Sequence, residues 1–115
     1  MSAGMDERLP AHLEVAAIIR LAQAHDGFAT VVARGERDAG TILLLTMDRG
    51  NNVTLFERMP QLDGTRLFTQ SRHEDPENKK EFSEYLERRK RQDPDIWIVE
   101  IDVADTQHFI ELLPR

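Results

Sequence analysis

Cysteine is absent from this sequence. That excludes disulfide staples, thiolate nucleophiles and the sulfur ligands of structural zinc sites. Long apolar runs are absent as well. The longest, "TILLLTM" and "IWIV", fall far short of the ~20 residues a membrane-spanning helix needs. The first ten residues, "MSAGMDERLP", lack the apolar centre of a signal peptide. The expectation is a cytoplasmic protein that does not enter a membrane. A broad basic footprint is also missing. The net charge is −6 and the pI about 5.2, which argues against a nucleic-acid partner.

What remains is ordinary material for a globular fold: 115 residues, 40% hydrophobic and 31% charged. One domain of this size buries roughly two thirds of its unfolded surface, enough for a single core. Residues 1–8 read as a loose tail and residues 9–115 as one domain, with no repeat or linker between.

"LPAHLEVAAIIRLAQAHDG" reads as a helix. Pro10 suits a first helical position. Leu13, Ala16, Ala17, Ile19 (or Ile18) and Leu21 give an apolar face. Gly27 fits a positive-φ cap. The period then changes to that of strands. "FATVVAR", "TILLLTM", "VTLFER" and "TRLFTQ" are separated by the turn-rich stretches "GERDAG", "DRGNN" and "PQLDG". Short connections predict a four-strand antiparallel meander.

"DPENKKEFSEYLERRKRQD" is a second helix, with Asp75 as cap, Pro76 at its first position and a narrow apolar stripe of Phe82, Tyr85 and Leu86. "DIWIVEIDV" is a fifth strand. Its four consecutive apolar residues place it inside the sheet. "ADTQHFIELLP" closes the chain as a short helix or a strand, with Phe109, Leu112 and Leu113 inward and Asp102 or Asp105 as cap. The predicted class is α+β: a mainly antiparallel sheet of about five strands with two to three helices. The order is helix, four strands, helix, strand, short helix.

Three groups of residues invite a chemical reading. Asp95, Glu100 and Asp102 surround Trp97. Glu100 and Asp102 would stand about 6–7 Å apart on one face of a strand, close enough for a metal to bridge. Proline, aspartate and a later acid also resemble the order in metal-dependent nuclease cores. Those cores require a lysine two residues after the second acid, and this chain has Asp102 there. The acids also read as the charged ends of a buried strand. Arg34 and Arg37, in and beside "GERDAG", could hold an anion. That loop leads into a strand rather than a helix, so it is no phosphate cradle and reads as a hairpin loop. Arg88, Arg89, Lys90 and Arg91 form the densest basic run. They are the best candidates for an acidic partner surface, although Glu84, Glu87, Asp93 and Asp95 flank them.

The four histidines, His12, His25, His73 and His108, show no metal-ligand spacing. Ser71 and Ser83 lie in no nucleophile-elbow context.

Several segments together resemble a small proteobacterial family, domain of unknown function 1491. They are "RLPAHLEVAAIIRLAQAHDGFATVVARGERDAGTILL", "DGTRLF", and "DPDIWIVEID" followed closely by "HF". The resemblance implies a single cytoplasmic domain of about this length. It implies no activity, cofactor or catalytic residue.

With no complete catalytic set and no implied cofactor, the sequence favours a non-enzymatic protein-binding or adaptor domain, self-association included. The alternative is a metal-dependent enzyme acting on a phosphate-containing substrate, with Asp95, Glu100 and Asp102 as ligands and Arg34 or Arg37 for the anion. Nucleic-acid contact through Arg88 to Arg91 is the weakest of the three, and it would carry a steep salt dependence.

Overall fold

The computed structural model describes residues 9–113; the tail expected over residues 1–8 lies outside them. Eight elements follow in the predicted order: α1 (Ala11–Ala24), β1 (Phe28–Ala33), β2 (Ile42–Asp48), β3 (Asn51–Pro60), β4 (Arg66–His73), α2 (Lys79–Gln92), β5 (Trp97–Asp102) and α3 (Thr106–Leu112). The fold is α+β, with a five-stranded, mostly antiparallel sheet. No helix among the described residues is long and apolar enough to cross a membrane.

The strand order is β1-β5-β2-β3-β4. Only β2, β3 and β4 form a meander. β1 does not pair with β2, as the short "GERDAG" connection suggested. Instead β5 inserts between them, antiparallel to β1 and parallel to β2. The parallel contact is reached by the long connection through β3, β4 and α2, as such contacts require. The apolar run in β5 has its cause here, because β5 is buried on both faces. Trp97, Val99 and Ile101 join α1 and α3 in one core. Ile96 and Ile98 join Phe82 of α2 in the other.

The loop between β1 and β2 is therefore a bridge over the start of β5, not a hairpin. Its backbone braces the starts of β5 and α1. The Glu36 N–H donates to the Asp95 carbonyl at 2.8 Å. The Trp97 indole N–H donates to the Glu36 carbonyl at 2.7 Å. The carbonyls of Asp38 and Arg37 accept from the Ala11 and His12 N–H groups, which would otherwise be orphaned at the start of α1. A Cβ on Gly35 would collide with the Asp95 carbonyl and with Trp97, so this crossing needs glycine.

Several local expectations are corrected. Helix α1 starts at Ala11, and Pro10 is its cap residue. Its buried face is Ala11, Glu14, Val15, Ile18 and Ala22, while Leu13 is 46% exposed. The face is turned because Glu14 is buried against Arg58 of β3, a partner that helical periodicity does not reveal. Asp26, not Gly27, takes the positive φ. Gly27 is needed because a Cβ there would strike Val103 and the Asp102 carbonyl. Helix α2 begins at Lys79 with Asn78 as its cap, while Asp75 closes a turn onto the Glu77 N–H. The final segment is a helix capped by Asp105. Phe109, Ile110 and Leu113 are its buried residues, and Leu112 is 41% exposed.

Neighbouring residues on β3 fix one helix on each face. Arg58 pairs with Glu14 of α1. Glu57 accepts from Arg89 of α2 at 2.7 Å.

Candidate binding surface

The acids around Trp97 do not converge. Asp102 lies seven residue steps along nearly extended chain from Asp95, about 23 Å at strand rise, so the two cannot share one ion. Asp102 is engaged elsewhere. Its carboxylate accepts from the N–H of Arg49 at 2.8 Å and of Gly50 at 3.2 Å. Both of those residues have positive φ, a conformation unfavourable for arginine. Asp102 thus pins the β2–β3 turn. Glu100 is half-buried and lies opposite Thr30 of β1. Among the described residues, no group of three or more histidines and acids is placed to hold a metal.

The basic run is divided by the helix. Arg89 points inward and bridges Glu57 and the Tyr85 hydroxyl, the latter at 2.9 Å. Partial burial pulls the Arg89 pKa down, but its hydrogen bonds and charge interactions with Glu57 and Tyr85 outweigh that, and the net shift is upward. Lys90 pairs with Glu87 at 2.8 Å. Arg88 leans over Tyr85, 5.7 Å from the ring centroid, and Arg91 is exposed. Arg34 lies over the Trp97 ring at 5.6 Å, while Arg37 sits in solvent beside Asp38 at 3.9 Å. The four histidines stay apart as ligands. His25 and His108 meet only edge-to-face at 6.1 Å, and His73 Nδ1 is 3.0 Å from the Thr54 hydroxyl.

A cleft of about 280 Å³ opens beside the start of α1, with Glu14, Arg58 and Arg66 among its lining residues. Glu14 and Arg58 neutralise each other there, and Arg66 is exposed.

The surface that stands out is β1. It lies at one end of the sheet, so its outer backbone edge is unpaired among the described residues. Ala29 and Val31 pack inward against the α1 side, and Ala33 packs against the α2 side. Phe28, Thr30 and Val32 are exposed, Phe28 at 76% and Val32 at 48%. The register shifts between Val31 and Ala33, which leaves Val32 without a partner on β5. The other edge is different. β4 carries Arg66, Thr69, Gln70, Arg72 and His73 as exposed residues, the charged dress that natural sheets use to discourage pairing. β1 carries no charge from Phe28 to Ala33.

Sequence reasoning missed Phe28 and Val32. "FATVVA" looks like a core strand until its phases are compared by size. The small residues occupy the covered phase, and phenylalanine lies in the other.

Fold and surface together define a small α+β domain with both sheet faces covered by helices, one edge defended and one edge open. The chain belongs to the family described as protein of unknown function DUF1491, whose model matches residues 9–111. A crystal structure of a DUF1491 family protein from Caulobacter crescentus is similar, with 38% identity, 89% of this chain and 94% of that chain covered, and a TM-score of 0.75. A solution structure of protein Atu0922 from A. tumefaciens is 29% identical and covers 95% of this chain and 98% of its own, with a TM-score of 0.73. No curated protein matches the chain.

Proposed function

We propose that this protein is a non-enzymatic, cytoplasmic binding domain that engages a protein through the β1 edge. One observation carries the reading. Of the two edge strands in the described residues, β1 is the one with no charged residue, and it is also where a phenylalanine stands 76% exposed. An open edge supplies main-chain donors and acceptors for an added strand, and the flanking side chains supply selectivity. An exposed aromatic at its start gives such a contact an anchor. The acids and arginines singled out by sequence support this reading indirectly, because Asp102, Arg89 and Lys90 are already engaged within the fold.

The test compares the native chain with Phe28→Asp, each tagged and expressed at native level, followed by cross-linking in the cell. A protein captured by the native chain, including a differently tagged copy of itself, should be lost in the variant. Circular dichroism should show the variant still folded, since Phe28 lies outside both cores. Capture that survives the substitution, or none by the native chain, would sink the proposal.

A further inference from the structure

We infer that the strand received at the β1 edge is a cationic one, carrying a lysine or arginine beside Thr30 that is held by Glu100 and Phe28. This inference rests on the reading of β1 as the binding edge and names the chemistry of its partner.

Side chains of directly paired residues share a face of the sheet. On the α2 side, Phe28 stands beside Asp102, and Asp102 beside Met47. In the next row, Thr30 stands beside Glu100, and Glu100 beside Leu45. Both rows precede the register shift that follows Val31. Helix α2 covers this face unevenly. It is tied to β3 by Arg89 on Glu57 and to β4 by Tyr85 beneath Arg72. Its apolar seam of Phe82, Tyr85 and Leu86 joins Leu43, Leu55 and Ile98. Phe28 and Thr30 are left exposed, and Met47, Glu100 and Asp102 are half-buried. The open part of the face is therefore an apolar strip with two carboxylates set into it.

The two acids differ in what they already hold. Asp102 is occupied by the N–H groups of the β2–β3 turn. The Glu100 carboxylate makes no hydrogen bond or ion pair with any described residue. A half-buried charge without a partner is a cost to the fold, and a cation brought to it is screened less than one on open surface.

Charge complementarity thus selects the occupant. A strand added to β1 sets one residue beside Thr30, two strand spacings from Glu100, about 9–10 Å. Thr30 is short and leaves the path between them open. The stem of a lysine or arginine can lie along that path with its charged head at Glu100. Phe28, on the same face of β1, offers its ring to the same cation. An acid in that position would meet Glu100 and Asp102 with like charge, and an uncharged residue would cover Glu100 without pairing it. The net charge of −6 also draws cationic partners to the chain. The β4 edge, with Arg66, Arg72 and His73 exposed, has the opposite sign.

The probes are short acetylated peptides in which valine alternates with arginine, with serine or with glutamate, each titrated into the isotope-labelled native chain. The arginine peptide should shift the amides of Phe28 to Val31 and of Glu100 most strongly. It should bind about tenfold tighter than the glutamate peptide. Glu100→Gln should weaken the arginine peptide about fivefold, the upper end of what a partly exposed ion pair returns, and leave the serine peptide unchanged. Glu84→Gln, which removes the same charge from an exposed site on α2, should affect neither.

Equal binding of the arginine and serine peptides at β1 overturns the inference, as does a Glu100→Gln effect no larger than that of Glu84→Gln. Shifts spread over the surface acids with no maximum at β1, or no shift at β1 by any peptide at millimolar concentration, overturn it too. Each of these results leaves the binding-domain reading standing if a protein is still captured in a Phe28-dependent way. Capture indifferent to Phe28 removes that reading as well.

Discussion

Glu14 and Arg58 carry the sharpest energetic prediction. Glu14 is 9% exposed, and the two side chains are 11% and 12% exposed. Arg58 also lies over the Phe68 ring, 4.5 Å from its centroid. Removing one member of such a pair strands the other charge in a place where water reaches it poorly. That typically costs about 3–5 kcal/mol, whereas replacing both members with apolar residues is often close to neutral. Glu14→Leu should therefore lose about 3 kcal/mol. Arg58→Leu should lose about 4 kcal/mol, the larger value because its contact with Phe68 goes too. The double substitution should lose only about 1–2 kcal/mol, far less than the sum. A domain of this length has about 6–17 kcal/mol to lose, so each single variant should remain folded. Urea denaturation followed by the fluorescence of the one tryptophan reads the midpoints at constant slope. In thermal melts the Glu14→Leu loss corresponds to roughly 12 °C. A double variant that loses the sum of the two singles would refute the reasoning. So would a Glu14→Leu loss under about 1 kcal/mol, because the pair would then behave as a solvent-screened one.

Three further predictions follow from the same geometry. The Thr46 hydroxyl is fully buried with no hydrogen-bond partner, so Thr46→Val should be neutral or raise stability by about 1 kcal/mol in urea; a clear loss would show that the hydroxyl has a partner after all. Gly35→Ala should cost about 1–3 kcal/mol by overpacking against backbone that cannot retreat, and should shift Trp97 emission as the bond to Glu36 is disturbed; unchanged emission and stability would contradict the bracing role of this loop. Arg89→Gln should cost about 1–2 kcal/mol. The Arg89 pKa is raised in the fold. Its stabilisation is therefore complete below the unfolded-state pKa and is lost only as pH rises through the folded value, in strong alkali. The native-minus-variant difference should stay constant from about pH 7 to about pH 9, and a change across that window would count against the assignment.

Much of the fold was legible in local signals. Helix and strand periods placed all eight elements in order, and the four apolar residues of β5 placed it inside the sheet. What was not legible depended on contacts distant in sequence. The pairing of β1 with β5 cannot be read from "GERDAG", because a short loop fits a hairpin as well as a bridge across one intervening strand. The face of α1 was misjudged because Glu14 is polar in sequence but buried in the fold, neutralised by an arginine 44 residues away. The candidate surface was harder still. Exposure of Phe28 depends on α1 lying against the other side of β1 and on α2 covering the sheet elsewhere. Neither placement is a property of the six residues themselves. Conversely, the acids and bases that drew attention as a site are largely accounted for by turns and ion pairs.

The neighbouring charges Glu57 and Arg58 have a consequence for assembly of the sheet. A one-residue slip of a strand turns each of its side chains to the opposite face. A slip of β3 in one direction would set Glu57 in Arg58's place against Glu14, and a slip in the other would set Arg58 in Glu57's place against Arg89. Either slip would break both pairs and turn one of them repulsive. A pair of adjacent opposite charges thus works as a two-sided key: it admits β3 between the helices in one alignment and rejects the adjacent ones before the apolar side chains are sealed in.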